Sequence, residues 1–258
     1  MGSDTYFISD IHLGARYIAD HKAHERIITD WLKSIKPTAR RLYLLGDILD
    51  YWYEYREVVP RGYIRFFGAL ADLADSGVEI TWLKGNHDIW IFDYLPNEIG
   101  FRLVDGSLTE TIDGKRFFLE HGDGVGKIPT TYRLLRSTFR NHLCQRLFAT
   151  IHPRWTVAFA HRWSSHSRLS GNDLSSTSST IHDNDSLLEF ARQHNLQGGN
   201  IDFFIFGHRH CIANKQIDNS DSRIILLGDA FRLFSYAKWD GNKLEIHHID
   251  HPHKLTYK

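Results

Sequence analysis

Strand-like and helix-like stretches alternate over the first third of this chain, and that alternation limits its fold more than any other feature. Thr5 to Ser9 (TYFIS) reads as a short buried strand. His21 to Ile35 reads as a helix that places Ile27, Ile28, Trp31, Leu32 and Ile35 on one face, with Pro37 just beyond. Arg41 to Leu45 (RLYLL) is a second strand, Gly62 to Ser76 a second helix with Gly77 as its stop, and Val78 to Leu83 a third strand. A βαβαβ order implies parallel strands in a layered α/β fold.

The pattern then changes. Leu108 to Ile112 and Lys115 to Glu120 form a hairpin about an Asp113-Gly114 turn, within a segment that starts at Phe101. A basic helical block follows, then a Ser/Thr-rich stretch from Ser164 to Thr180 that reads as a loop or flap. Asp185 to His194 starts another helix, and Asp202 to Phe206 (DFFIF) and Arg223 to Leu227 (RIILL) are strands. A last hairpin joins Ser235–Trp239 to Lys243–Ile249 through Asp240-Gly241. No internal repeat is visible. The expected organisation is a catalytic α/β core, residues 1–123 and 181–258, interrupted by a helical insertion at 124–180.

Charge marks that insertion. Lys plus Arg and Asp plus Glu both number 31, so the formal net charge is zero. Yet Gly124 to Asn172 contains no acid and holds Lys127, Arg133, Arg136, Arg140, Arg146, Arg154, Arg162 and Arg168. Among them stand Leu134, Leu135, Phe139, Leu143, Leu147, Phe148, Trp155, Phe159 and Trp163. Arginine mixed with apolar side chains on helices suits an anionic surface with an oily layer beneath, or nucleic acid; a solvated helical face with an ordinary core face is the plainer reading. With 42% apolar and 24% charged residues the chain is an ordinary globular one, which excludes disorder, collagen and coiled coil. No run approaches the ~20 apolar residues of a membrane span, and MGSDTYFISD is no secretory signal. Cys144 and Cys211 make no disulfide framework, so a cytoplasmic setting is expected.

The chemistry gathers in five clusters, each directly after a strand: Asp10-Ile11-His12, Gly46-Asp47, Gly85-Asn86-His87-Asp88, His121-Gly122-Asp123 and Gly207-His208-Arg209-His210. The carboxyl ends of strands are where ligand sites collect in layered α/β folds. In extended backbone, residues i and i+2 share a side, so Asp10 with His12, and His208 with His210, can reach one ion together. Asn86 and His87 are adjacent and should diverge, one toward a metal and the other toward substrate. Asp10, His12, Asp47, Asn86, His121, His208 and His210 exceed one tetrahedral zinc site and fit two metals sharing a carboxylate, Asp47. Two divalent cations against two carboxylates leave a surplus of about +2, attractive to phosphate, and mixed N and O donors suit manganese, iron or zinc. Singly, each cluster could be a cap, a turn or a structural histidine; all five in order, each ending a strand, are a strong signal.

The ordered pattern D-x-H, G-D-x-x-D, G-N-H-D/E, H, G-H-x-H resembles the calcineurin-like metallophosphoesterases, here as Asp10/His12, Gly46-Asp47-Ile48-Leu49-Asp50, Gly85 to Asp88, His121 and Gly207 to His210. That resemblance, spanning residue 5 to about 230, implies two β-sheets flanked by helices. It implies Asp10, His12, Asp47 and His210 on one metal and Asp47, Asn86, His121 and His208 on the other. Within the superfamily the chain is similar to the UDP-2,3-diacylglucosamine pyrophosphatases of lipid A synthesis, in size, in its insertion, in Tyr132 eleven residues after His121, and in the Ser/Arg-rich stretch Arg162 to Ser170. One departure is His87, where the best-known members carry Arg.

The activity so implied is hydrolysis of the diphosphate of UDP-2,3-diacylglucosamine to UMP and lipid X by a hydroxide activated between two divalent ions, manganese first. His87 would protonate the leaving oxygen or stabilise the transition state, with Asp50 by family analogy orienting its ring and Asp88 as the rival orienter. Tyr132, Arg162 and Arg168 join His87 as substrate contacts. Gly124 to Gly171 would cap the metal site, cradle the acyl chains and touch the cytoplasmic face of the inner membrane. A stable nucleic-acid partner is not expected, and no oligomeric state is read. The alternatives are a phosphodiesterase or phosphatase on soluble nucleotides, a nuclease drawn by the basic block, and a non-catalytic scaffold that keeps a metal site.

Overall fold

β1 (Asp4–Ile8) is buried along nearly its whole length, as a central strand with neighbours on both edges must be. It leads to α1 (His21–Ile35), which Asp20 caps by accepting from the Ala23 N–H at 2.9 Å, and the apolar face read from the sequence is the face buried. β2 (Ala39–Leu45), α2 (Ile64–Asp75) and β3 (Glu79–Leu83) complete the alternation, and β1, β2 and β3 pair in parallel. The computed structural model describes residues 2–153, 155, 156, 181–251, 255 and 257.

After α3 (Tyr94–Ile99) comes β4 (Arg102–Val104), which pairs in parallel with β3. The hairpin β5 (Leu108–Ile112) and β6 (Lys115–Glu120) has the strand limits read from the sequence. Among the described residues α4 (Thr130–Arg140), α5 (His142–Ala149) and α6 (Ser186–Leu196) follow. The remaining strands are β7 (Phe203–Phe206), β8 (Ile212–Gln216), β9 (Arg223–Leu227), β10 (Ser235–Trp239) and β11 (Leu244–His248). One sheet runs β11-β10-β1-β2-β3-β4 and the other β5-β6-β7-β9-β8.

The two sheets face each other across an apolar layer. Phe7, Tyr43, Leu45 and Leu83 of the first meet Phe117, Leu119, Ile205 and Ile225 of the second. Phe7 stacks on Phe117 with ring centroids 5.7 Å apart, and truncating such a fully buried ring costs about 3–5 kcal/mol. α1 and α2 cover the outer face of the first sheet, and α6 packs on the second through Leu187, Leu188 and Ala191. The result is two helix-flanked sheets, the architecture expected.

Three elements escape the sequence reading. β4 lies in the same stretch as the hairpin yet belongs to the other sheet, so the chain crosses between sheets from Val104 to Leu108. Three residues are too few to show a period. β8 (IANKQ) is an edge strand with one buried side chain, and α3 is only six residues with an internal proline. Arg162, Arg168 and the Ser164 to Thr180 stretch lie outside the described residues.

Candidate metal centre

β1, β2 and β3 of the first sheet and β6 and β7 of the second end at one edge of the sandwich, and their next residues meet there. Asp10, His12 and His210 form one cluster and Asp47, His121 and His208 another, with ligand atoms in each within 4.8 Å of one another. His12, Asp47 and His87 form a third, so Asp47 is common to two groupings. Its Oδ2 lies 3.6 Å from His12 Nε2 and 3.4 Å from His121 Nε2, while its Oδ1 accepts the His87 backbone N–H at 2.9 Å. Asn86 joins the second cluster, its Oδ1 3.2 Å from His121 Nε2. All seven ligand residues named from the sequence are thus drawn to one place.

They arrive by a different backbone than expected. Asp10, His12, Asp47, His208 and His210 all have positive φ, from 49° to 65°, rather than extended conformation. Each left-handed residue costs on the order of 1 kcal/mol or more. The gain is curvature: tight turns at the strand ends fold successive side chains around a point, which a straight i, i+2 spacing would not. Close approach does the rest. A Cβ on Gly85 would stand 2.4 Å from the Asp47 backbone nitrogen and 2.2 Å from its Oδ1, so only glycine lets the β2 and β3 loops touch.

Hydrogen bonds fix which nitrogen each imidazole offers. His121 Nδ1 donates to the Leu45 carbonyl at 2.8 Å and His87 Nδ1 to the Asp50 carbonyl at 2.9 Å, leaving Nε2 of each for the centre. His12 Nδ1 lies 3.3 Å from Asp50 Oδ1, and His210 Nδ1 3.7 Å from Asp229 Oδ2. Asp229 is itself held by the N–H groups of Phe231, Arg232 and Leu233 and by the Arg232 guanidinium. Carboxylates behind imidazoles orient metal ligands and raise their basicity.

Asp50 lies against the His87 ring as expected, but through its backbone, and the Asp88 alternative is corrected. The Asp50 carboxylate is nearer His12 than His87, at 3.3 against 3.7 Å, and it is the Asp50 backbone carbonyl that holds the His87 ring. Asp88 does not orient His87: it accepts from Gly85 N–H, Ile48 N–H and the Trp82 indole, locking the β2 and β3 loops together. The surplus of about +2 also omitted carboxylates, since Asp50, Asp123 and Asp229 are buried around the ligands. Asp229 is the residue missed outright. The signal was present, because RIILLGD repeats the strand-Gly-Asp form of RLYLLGD at Asp47.

The electrostatics are those of a cation site. Burial alone would raise the Asp47 and Asp10 carboxyls, but the His121 and His210 charges beside them hold both below the ordinary carboxylate range. Burial works against a charged His121, yet Asp47 outweighs it and raises the imidazole well above its usual value. Burial, with His121 next to it, pushes His208 down to about 4. Burial and the Asp47 charge lift Asp88 to about 6. Asp10 Oδ1 is buried and accepts no hydrogen bond, its neighbours being His210 Nε2 at 3.6 Å and His12 Nε2 at 3.8 Å. One orphaned buried oxygen, a shared carboxylate and imidazole nitrogens gathered in neighbouring clusters are a donor set that fits two divalent cations.

α4 and α5 meet the sheets and their loops beside this centre. Asp123, two residues past His121, accepts from Arg136 Nε at 2.9 Å and from Tyr132 Oη at 3.3 Å. Arg140 Nε donates to Asp105 Oδ1 at 2.9 Å. Two cations of the basic block are therefore paired with core acids rather than free in solvent. Phe139 and Phe148 pack on Tyr51, Tyr53, Ile89 and Trp90 of the loops that follow Asp50 and His87. Trp90 Nε1 donates to the Phe139 carbonyl at 3.0 Å, and Tyr53 Oη to that of Gln145 at 2.6 Å. Outward, Leu134, Leu143, Leu147, Ile151 and Trp155 are exposed, Trp155 by 69%. Among the described residues no helix is long and apolar enough to cross a membrane.

Two sheets flanked by helices, with a His/Asp centre on the loops at one edge, define a metal-dependent phosphoesterase architecture. The family model for calcineurin-like phosphoesterases matches residues 4–211, and the chain belongs to that family, whose members here are hydrolases. It is 40% identical, over 97% of its length and 99% of the relative's, to a protein of Porphyromonas gingivalis named UDP-2,3-diacylglucosamine hydrolase. A protein of the same name from Nitrosococcus oceani is 28% identical over 87% of this chain and 86% of its own. A phosphoesterase structure from E. coli aligns over 96% of this chain and 93% of its own, with 15% identity and a TM-score of 0.46.

Proposed function

We propose that this chain cleaves the diphosphate of UDP-2,3-diacylglucosamine, releasing UMP and the diacylglucosamine 1-phosphate lipid X. One observation carries the substrate: the 40% identity to a hydrolase of that name extends over 97% of this chain and 99% of the relative. Asp10, His12, Asp47 and His210 would hold one cation and Asp47, Asn86, His121 and His208 the other, with manganese our first choice for a mixed N and O set. When bound, the cations supply Lewis acidity toward phosphoryl oxygens and lower the pKa of water. His87 Nε2, its ring fixed through Nδ1 on Asp50, is the atom that would hold a proton for the leaving phosphate oxygen. Asp50 acts through His12 and His87 as a positioning residue.

Residues 124–180 serve as a cap in this reading, and 1–123 with 181–258 as the catalytic core. The aromatic seat under α4 and α5 lies next to the metal ligands, and the exposed Leu143, Leu147 and Trp155 among arginines suit contact with an anionic membrane surface. In this reading the protein would work at the cytoplasmic face of the inner membrane. Tyr132, Arg162 and Arg168 are proposed substrate contacts, Tyr132 being held beside the centre by Asp123.

The test supplies UDP-2,3-diacylglucosamine and Mn²⁺ in ¹⁸O-water and analyses products by mass. UMP carrying the label, with unlabelled lipid X, is the expected result and assigns attack to the α-phosphorus. Failure to release UMP by a preparation that hydrolyses bis(p-nitrophenyl) phosphate briskly refutes the substrate while leaving the phosphoesterase.

A further inference from the structure

Two buried carboxylates tie the loops after β2 and β3 together, and they do so at different places. Asp88 joins the loops next to the metal ligands through Gly85, Ile48 and Trp82. Glu54 joins them further out. Its Oε2 accepts the N–H groups of Phe92, Asp93 and Tyr94 at 2.6, 2.9 and 3.1 Å, and its Oε1 those of Leu95 at 3.1 Å and the Trp52 indole at 3.2 Å. The Glu54 N–H also donates to the Trp90 carbonyl at 3.2 Å.

These contacts take over a job the local sequence leaves undone. Asp93 precedes α3 but makes no side-chain cap, so the first N–H groups of that helix would be orphaned under the surface. Glu54, only 7% exposed, satisfies them from another loop. Between the two anchored points lie Tyr51, Tyr53, Ile89 and Trp90, the seat on which Phe139 and Phe148 rest. Tyr53 and Trp90 are also the side chains that hydrogen-bond the α4–α5 backbone. The ligand loops have their own ties, Asp10 N–H to Gly46 O, His12 N–H to Asp47 O and His87 N–H to Asp47 Oδ1, none of which passes through Glu54.

We propose that Glu54 is a positioning residue that fixes the aromatic seat of the insertion, and through it the use of a lipid-bearing substrate, while the metal centre is fixed separately through Asp88. The proposal rests on the substrate reading above for its kinetic arm only. Glu54→Gln keeps the shape but turns an amide NH₂ toward backbone donors, breaking several bonds at once.

The test compares the full-length wild type and E54Q, both loaded with Mn²⁺. The variant should raise KM for UDP-2,3-diacylglucosamine roughly 10- to 100-fold with a smaller change in kcat, as expected when a distant support is misplaced. Hydrolysis of bis(p-nitrophenyl) phosphate should stay within about threefold of wild type, because it needs only the metal centre. Amide hydrogen exchange, which needs no substrate, should quicken about tenfold in α4 and α5 and remain unchanged at β1 and β2. Equal losses on the two substrates, or unaltered exchange in α4 and α5, overturns the proposal. Should E54Q not fold, Tyr53→Phe removes the downstream bond to Gln145 and must quicken exchange in α5; if it does not, the proposal falls. A wild type inert toward the lipid nucleotide refutes the substrate reading, and exchange still decides the role of Glu54.

Discussion

His121 Nε2 and Asn86 Oδ1 face each other at 3.2 Å, and because His121 Nδ1 is spent on the Leu45 carbonyl, a neutral His121 leaves two acceptors in opposition. Only a cation or an added proton makes that arrangement favourable. Asn86→Ala should therefore weaken one of two bound Mn²⁺ ions selectively and cut kcat on any phosphodiester by at least about 10²-fold. Electron paramagnetic resonance titration of bound Mn²⁺ gives the stoichiometry. A variant that retains two tight ions would show that Asn86 is not a ligand.

His121 and Asp47 together set how metal uptake depends on pH. Asp47 keeps His121 protonated above its ordinary range in the metal-free protein, so a cation must displace that proton. Burial keeps His208 neutral down to about 4, so it has none to release. Metal affinity should rise with pH until the raised His121 value is passed and level off above it. Calorimetry in buffers of different ionisation enthalpy should count about one proton released per second-site ion near pH 7. The metal-free protein carries the opposite dependence. His121 stabilises it fully below its unfolded-state value, and that contribution fades as pH rises through the raised folded value.

Gly85→Ala tests the close approach of the β2 and β3 loops. The added methyl would meet the Asp47 backbone nitrogen, which is not a flexible side-chain end. Loss of both metal sites and a fall in melting temperature are expected, with destabilisation of about 2–4 kcal/mol. Differential scanning fluorimetry with and without Mn²⁺ separates the two effects. A variant with wild-type metal-dependent stabilisation would mean the loops can part freely.

His87→Gln removes the proton carrier but leaves the backbone N–H that holds Asp47 Oδ1. On a poor leaving group kcat should drop about 10²- to 10⁴-fold, while Mn²⁺ affinity stays near wild type. The deficit should shrink for leaving groups of low pKa, which need no proton. Equal deficits across a leaving-group series would remove His87 from that role.

The exposed apolar side chains of the insertion predict membrane adsorption. Replacing Leu143, Leu147 and Trp155 together by Ser should reduce co-sedimentation with phosphatidylglycerol vesicles by about tenfold or more. Unaltered partitioning would assign those side chains elsewhere.

Much of this architecture is legible in the chain, for identifiable reasons. α1 has a strong 3.6-residue period and a proline just beyond it, and the Asp113-Gly114 turn fixes the register of β5 and β6. The candidate metal ligands are readable because each follows an apolar strand. What stayed hidden depends on contacts distant in sequence. Nothing near Glu54 announces that it caps a helix that begins 40 residues on, and nothing near Asp50 says that its carboxylate turns to His12 and its carbonyl to His87. Left-handed backbone at Asp10 and His208 is equally silent, since neither is a glycine. Asp229 is legible by the same sign, since it follows the apolar β9 and a glycine as Asp47 follows β2.

Each proposed cation draws ligands from both sheets: Asp10, His12, Asp47 and Asn86 extend from one, His121, His208 and His210 from the other. The ions would then rivet the halves of the sandwich at the edge where its apolar filling ends. Chelation should accordingly do more than silence the enzyme, since it would let that rim gape while the far side stays shut.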